Sequence, residues 1–300
     1  MTGLTVIERK LSANQIDAAI VRGFYQRTKA DTRAVTAARA VWVTMRKAVG
    51  YSGGADVLTS GANQQKLSKN SLPSYGLMLT PERGMMRPEL EDVRKAFNLS
   101  GPINLCPRAS RGCAAACLSF SGQSGMPQAQ RAQAVRTAFM LAFPEAFGLI
   151  VGAEIRRAVR SKGSINLRLN TTSDIRWELI APVAVAGLAA AGVNLYDYTA
   201  WTPADRKVSA SYSLTYSAKE PSSTSDEYLS GILSSGGTVA MPFTTARGEA
   251  LPATWQGFTV IDGDLSDERR NDPAGVVVGL RAKGYKWKRD NSAGFIRQAN

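Results

Sequence analysis

Across residues 12–49, Val35, Ala38, Val41, Trp42, Met45 and Val49 recur at intervals of three and four, which predicts a helical region with one apolar face. The other face carries Arg22, Arg27, Lys29, Arg33, Arg39, Arg46 and Lys47, a stripe that reads either as a solvated surface or as one that meets a polyanion. Tyr51-Ser-Gly-Gly breaks the region. To about residue 105 turn residues then dominate, in Ser60-Gly-Ala-Asn, Thr80-Pro-Glu-Arg-Gly and Arg87-Pro. Only residues 89–97 read as a short helix within this long extended connection.

Periodic patterning returns at residues 127–143 and 145–161, two predicted helices. The second places Phe147, Ile150, Val151, Ile155 and Val159 on one side and stops at Gly163. Ile165-Asn-Leu-Arg-Leu-Asn alternates with the period of a strand, residues 182–191 form a small-residue helix ended by Gly192, and residues 193–198 are strand-like again. The rhythm continues through 208–216 (strand), 224–234 (helix), 237–243 (strand) and 257–262 (strand). Strands alternating with helices predict an α/β fold, here a parallel-strand (β/α) partial or atypical barrel. A helical N-terminal extension (1–55) would precede an α/β domain (56–300). Functional groups in such folds collect past the carboxyl ends of strands, and several endings are polar: Asn170-Thr-Thr-Ser-Asp174, Asp197-Tyr-Thr-Ala-Trp201, Ser217-Ala-Lys219 and Asp262-Gly-Asp264.

Composition narrows the class. The chain is 44% hydrophobic and 20% charged, as expected of a globular protein. No apolar run approaches the roughly 20 residues of a membrane span, and the N-terminus has no charged region leading into an apolar one, so a soluble, cytoplasmic protein is expected. The net charge of +13 is uneven: residues 1–180 hold 25 Lys and Arg against 12 Asp and Glu, whereas residues 181–300 hold 12 against 12. A basic part beside a neutral one suits a nucleic acid or nucleotide partner. The sequence contains no histidine, which removes imidazole from acid–base catalysis and from metal ligation.

The 3 cysteines, Cys106, Cys113 and Cys117, all lie in the loop 106–117. An odd, tightly clustered set does not make a disulfide framework. Three thiolates with one position open suit a [4Fe-4S] cluster whose free iron binds a small ligand, as in enzymes that use S-adenosylmethionine. Zinc with an outside ligand, a redox or structural cluster, and three ordinary buried thiols remain open alternatives. Gly112 is expected to turn the loop, Ala114 to Ala116 to leave room, and Arg108 and Arg111 to lower the thiol pKa values. The spacing departs from the Cys-x3-Cys-x2-Cys of radical enzymes. Ala115 stands where they carry an aromatic, leaving Phe120 as the candidate stacking surface.

Four blocks together carry a resemblance: Lys66-Leu-Ser-Lys-Asn; Cys106-Pro-Arg-Ala-Ser-Arg-Gly-Cys113-Ala-Ala-Ala-Cys117-Leu; Leu167-Arg-Leu-Asn170-Thr-Thr-Ser-Asp174-Ile-Arg-Trp-Glu178; and Asp262-Gly-Asp264 with Asp272-Pro-Ala-Gly-Val-Val-Val-Gly279-Leu-Arg-Ala-Lys283. The chain resembles the gene product 88 family of bacteriophages over roughly residues 60–290. This resemblance implies a phage protein acting in a host bacterial cytoplasm. It singles out the three cysteines, Asn170, Ser173, Asp174, Asp262, Asp264, Asp272 and Lys283.

Asn170, Ser173 and Asp174 are expected either to bind a cofactor or to cap their own turn. The aspartates 262, 264, 267 and 272 are expected to pair with Arg269, Arg270, Arg281 and Lys283 as a lid, with a hard-cation site as the other reading. Two functions follow: an iron–sulfur protein resembling S-adenosylmethionine radical enzymes and acting on nucleic acid or nucleotides, or a non-enzymatic nucleic-acid-binding protein with a structural metal. The basic–aromatic run 283–289 suits phosphate and base contacts, and Tyr196, Tyr198, Trp201, Tyr212 and Tyr216 read first as core packing and otherwise as surfaces that stack a nucleobase.

Overall fold

The strand β3 (Ile165–Arg168) alternates apolar and polar side chains, and all four are buried. Its apolar face is covered by helices and its polar face by a charged loop. The computed structural model describes residues 3–63, 67–120, 122–283, 291 and 294–299. The remaining strands are β1 (Thr59–Ser60), β2 (Ser74–Gly76), β4 (Val193–Thr199), β5 (Tyr212–Ser217), β6 (Thr238–Phe243), β7 (Thr254–Trp255), β8 (Phe258–Asp262) and β9 (Val277–Arg281). They form one nine-stranded sheet in the order β1-β2-β3-β4-β5-β6-β9-β8-β7. The seven inner strands are all parallel, with Leu167 beside Leu195 and Leu195 beside Tyr212.

This mixed α/β sheet does not close into the expected barrel. At each edge a two-residue strand pairs antiparallel with its neighbour, β1 on β2 and β7 on β8. Short antiparallel edge strands end the ladder and leave no long parallel edge to pair across a barrel seam. The chain order also folds back. After the hairpin β7–β8 the chain returns to place β9 between β6 and β8, and Val277 and Val278 there are fully buried. The turn-rich stretch after residue 55, expected to be a long connection with one short helix at 89–97, holds that helix as α4 (Glu91–Ala96) and also supplies β1 and β2.

Three helices form the N-terminal segment, where a single helical region was expected: α1 (Val6–Ala13), α2 (Ile16–Tyr25) and α3 (Lys29–Ala48). The breaks fall at Gln15 and Gln26, both left-handed with φ of 56° and 42°. Thr28 then restarts the helix with a capping box to Asp31. These helices join the main core. Leu11, Ile16, Ile20 and Trp42 share one apolar cluster with Ile165, Leu167, Val193 and Leu195.

The same cluster holds α6 (Pro127–Ala142), α7 (Pro144–Lys162) and α9 (Pro182–Ala190). Each begins with proline at its first turn, where a missing N–H costs nothing. A Cβ on Gly152 of α7 would collide with the Ile20 carbonyl of α2, so that crossing requires glycine. A smaller second core packs α10 (Asp226–Ser234) on β6 and β9 through Leu229, Leu233, Val239 and Met241. No single helix among the described residues is long and apolar enough to cross a membrane.

Candidate metal-binding loop at the strand ends

Two short helices, α5 (Arg111–Ala115) in the cysteine loop and α8 (Trp177–Ile180) after β3, flank the carboxyl ends of β3, β4 and β5. Ser110 caps α5 by accepting from Cys113 N at 3.2 Å, and its own hydroxyl donates to Glu220 Oε2 at 2.5 Å. Glu220, three residues past β5, also accepts Gly112 N at 3.3 Å. A Cβ on Gly112 would lie 2.6 Å from Phe295 Cβ and 2.8 Å from Glu220 Oε2. Close approach, not an unusual turn geometry, is therefore what calls for glycine here.

The loop is tied to the sheet on its other side. Asp174 N donates to Leu105 O at 2.8 Å, and Cys106 Sγ donates to Thr172 O at 3.8 Å. None of the three cysteines is in a disulfide, and all are half-buried. Cys113 and Cys117 stand one helical turn apart.

The thiols sense one another and two carboxylates. Burial, with Asp174 next, pushes Cys106 well up. Burial, with Cys117, Asp174 and Glu220 adding, pushes Cys113 up to about 12, opposed by Lys219. Arg108 and Arg111, expected to lower the thiols, are not among the leading influences on Cys106 or Cys113. Arg108 faces Asp205 at 3.4 Å and lies over the Trp201 ring, and Arg111 is exposed. Half-buried Lys219 is the cation that acts on Cys113, and its own pKa is lowered by burial and by Arg108. Sequence reasoning named Lys219 only as a polar strand ending and missed Glu220. Nothing local in the sequence ties Glu220 to a glycine 108 positions away.

Asn170, Ser173 and Asp174 form a closed knot at the end of β3. Asn170 Nδ2 donates to Ile175 O at 2.9 Å and Asp197 Oδ2 at 3.0 Å. Its Oδ1 accepts Ile175 N at 2.9 Å and the Ser173 hydroxyl at 3.0 Å. Asp174 accepts Thr199 Oγ1 and Ala200 N, both at 2.8 Å, and faces Arg206 Nη1 at 3.3 Å.

Arg206, fully buried, also reaches Glu178 at 3.2 Å and the Tyr212 hydroxyl at 3.1 Å. Arg168 pairs with Asp267 at 2.7 Å. Two buried guanidinium groups thus face four carboxyls, those of Asp174, Glu178, Asp197 and Asp267. Burial, incompletely opposed by Arg206, raises Asp174 to about 6 and also raises Glu178 and Asp197. Glu8 of α1, itself buried, clasps Arg176 with Nη2 to Oε2 at 2.7 Å, joining the N-terminal helix to this loop.

The other predicted residues lie apart from the cysteine loop or at its rim. Phe120 follows Cys117 by one turn, its N donating to Cys117 O at 3.1 Å, and its ring carries the Arg87 guanidinium at 5.0 Å. Asp262 and Asp264 hold Arg281 at 2.9 and 3.4 Å, Asp264 holds Lys283 at 2.6 Å, and Arg269 pairs with Asp272 at 3.2 Å. Asp267 turns inward to Arg168, and Arg270 bonds Asn194. The pairs of Asp262 and Asp264 with Arg281 and Lys283 fasten β8 to β9, while Asp267 and Arg270 tie the connecting loop to β3 and β4. Lys66 and residues 284–289 of the basic–aromatic run lie outside the described residues.

Cys106, Cys113 and Cys117 are thus presented on one loop, half-buried and outside any disulfide, with Lys219 acting on Cys113. The small side chains of Ala114 and Ala116 and this cation suit an anionic cluster. Among the described residues no group of three or more His, Cys, Asp or Glu is gathered as a site for one ion. A family model described as Gene product 88 matches residues 54–299. No curated protein and no solved structure matches the chain.

Proposed function

The chain belongs to the Gene product 88 family, and from that premise we propose that it is a phage-encoded iron–sulfur protein of the host bacterial cytoplasm acting on a nucleic acid or nucleotide. The observation that carries the reading is the presentation of all three cysteines on one loop at the carboxyl ends of parallel strands. Cys106, Cys113 and Cys117 would hold a [4Fe-4S] cluster. When bound, it would supply one-electron chemistry and an open iron for S-adenosylmethionine or another small ligand.

The chain's own residues have separate tasks. Glu220 and Ser110 hold α5 in position, and Asn170 and Asp174 keep the end of β3 rigid beneath the loop. Lys219 offsets the negative charge that thiolates would bring, since it already interacts favourably with Cys113. The basic excess of residues 1–180 favours an anionic substrate, although part of it is engaged internally. Arg39 faces Glu154 at 3.4 Å and Arg46 donates to the Gly53 and Gly54 carbonyls.

Anaerobic purification followed by iron and sulfide analysis and an absorption spectrum tests the reading. Iron and sulfide near four of each per chain are expected, with most of both lost in Cys113→Ala. A colourless, iron-free protein that is nevertheless active would overturn it. Salt-sensitive nucleic-acid binding without S-adenosylmethionine turnover would instead favour the non-enzymatic alternative with a structural metal, for which α3 offers exposed Lys29, Arg33 and Lys47.

A further inference from the structure

Helix α6 carries two polar residues one turn apart that the fold leaves without hydrogen bonds. Gln133 is 1% exposed, and neither its Nε2 nor its Oε1 has a partner. Arg136 is 8% exposed; its Nε is orphaned, and no hydrogen bond or ion pair to its guanidinium is found among the described residues. At positions i and i+3 they lie on the same helix face. A buried amide without a partner costs about 1–3 kcal/mol. Two such groups in one place point to something absent from the bare fold.

Both line a cavity of about 690 Å³ between the β1–β2 edge and helices α6 and α7. That size matches pockets that hold small molecules and is many times that of a single water. The cavity shares no lining residue with the cysteine loop.

The walls are differentiated. Ala129, Ala132 and Ala158 make a smooth apolar surface, with the Tyr75 ring also lining the cavity. The charged lining groups are Arg136 and Arg157 against Asp56 and Glu154, and Arg39, outside the lining, faces both acids at 3.8 and 3.4 Å. Glu154 is already engaged, accepting Val57 N at 3.1 Å and Leu58 N at 2.8 Å. Arg157 is held by Asp56 at 2.6 Å. Arg136 is the cation left for an incoming anion. The Gln133 carboxamide offers one donor and one acceptor side by side, the complement of an amide-like base edge.

We propose that this cavity binds a nucleoside 5′-monophosphate, with Arg136 on the phosphate, Gln133 on the base edge, and Tyr75 with the alanine wall against the ring. The site stands independently of any cluster at the cysteines.

Calorimetric titration of the full chain with uridine, cytidine, adenosine and guanosine 5′-monophosphate, and with ribose 5-phosphate and inorganic phosphate, tests it. At least one nucleotide should bind, and ribose 5-phosphate should bind about tenfold more weakly because Gln133 then has nothing to pair with. Gln133→Leu should weaken the nucleotide about tenfold, and Arg136→Met about tenfold to a hundredfold. No binding by any of the four, equal binding of ribose 5-phosphate or inorganic phosphate, or unchanged affinity in Gln133→Leu would each overturn the proposal.

A second readout does not depend on those variants folding. The methyl resonance of Met78, a lining residue identified by its loss in Met78→Leu, should shift when the bound nucleotide is added to the wild-type protein. Nucleotide-induced shifts confined to other methionines would place binding elsewhere and overturn it.

Discussion

The knot at the end of β3 and the cavity wall on α6 are both built of buried polar side chains, yet they differ in one respect. Asn170 uses its donor and its acceptor within the protein, whereas Gln133 uses neither. Asp174 meets a cation at 3.3 Å, whereas Arg136 feels Glu154 and Asp56 without an ion pair to either among the described residues. A satisfied polar cluster holds a shape; an unsatisfied one is poised for a ligand. The contrast sets an unsatisfied amide on the helix side of the sheet against a satisfied one at the strand ends.

The most forceful way to break this comparison is Arg206→Met. It leaves Asp174, Glu178 and Asp197 buried without their shared cation, and a loss of about 3–5 kcal/mol is expected in urea denaturation. A change no larger than that of an exposed substitution would mean that the knot is not a structural unit.

A pH test on the cavity side comes next. Burial, with Asp56 adding and Arg39 and the Val57 and Leu58 amides opposing, raises Glu154 to about 7 from an ordinary 4.5; Arg136 and Arg157 also face it. The folded state therefore holds this proton more tightly than the unfolded chain. The contribution to stability is complete below about 4.5 and is lost as pH rises through about 7, a change of about 3 kcal/mol. Thermal melts near pH 5 and near pH 8 should show this slope in the wild type and a much smaller one in Glu154→Gln. An unchanged slope in the variant would assign it to other groups.

Smaller effects sharpen the contrast between the two amides. Asn170→Ala removes four hydrogen bonds and should cost about 2 kcal/mol or more. Gln133→Leu removes none and should leave stability unchanged within about 0.5 kcal/mol, or raise it. Equal losses in the two variants, read from denaturant midpoints, would erase the distinction.

Much of this was legible along the chain where the signal is local. Residues 127–143 and 145–161 matched α6 and α7 to within two residues at each end, and the alternation from Ile165 gave β3. The Val-Val-Val run before Gly279 stood in a recognised block, but its pairing between β6 and β8 is set by contacts with strands earlier in the chain. The stretch holding β2 reads as turns because three residues carry too little period to register. Glu8 and Arg176 lie 168 positions apart, and neither one's local sequence announces the other.

By itself the sequence determined the helix and strand periods, the grouping of all cysteines in one loop, the absence of histidine and the uneven charge, because each is a property of neighbouring residues or of composition. The tertiary structure alone decided that the sheet stays open, that Lys219 acts on Cys113, and that Asn170 is satisfied while Gln133 is not. The physical reason is that hydrogen-bond satisfaction and burial depend on which distant segments fill the space around a side chain, and amide residues of like chemistry carry no local mark of that outcome.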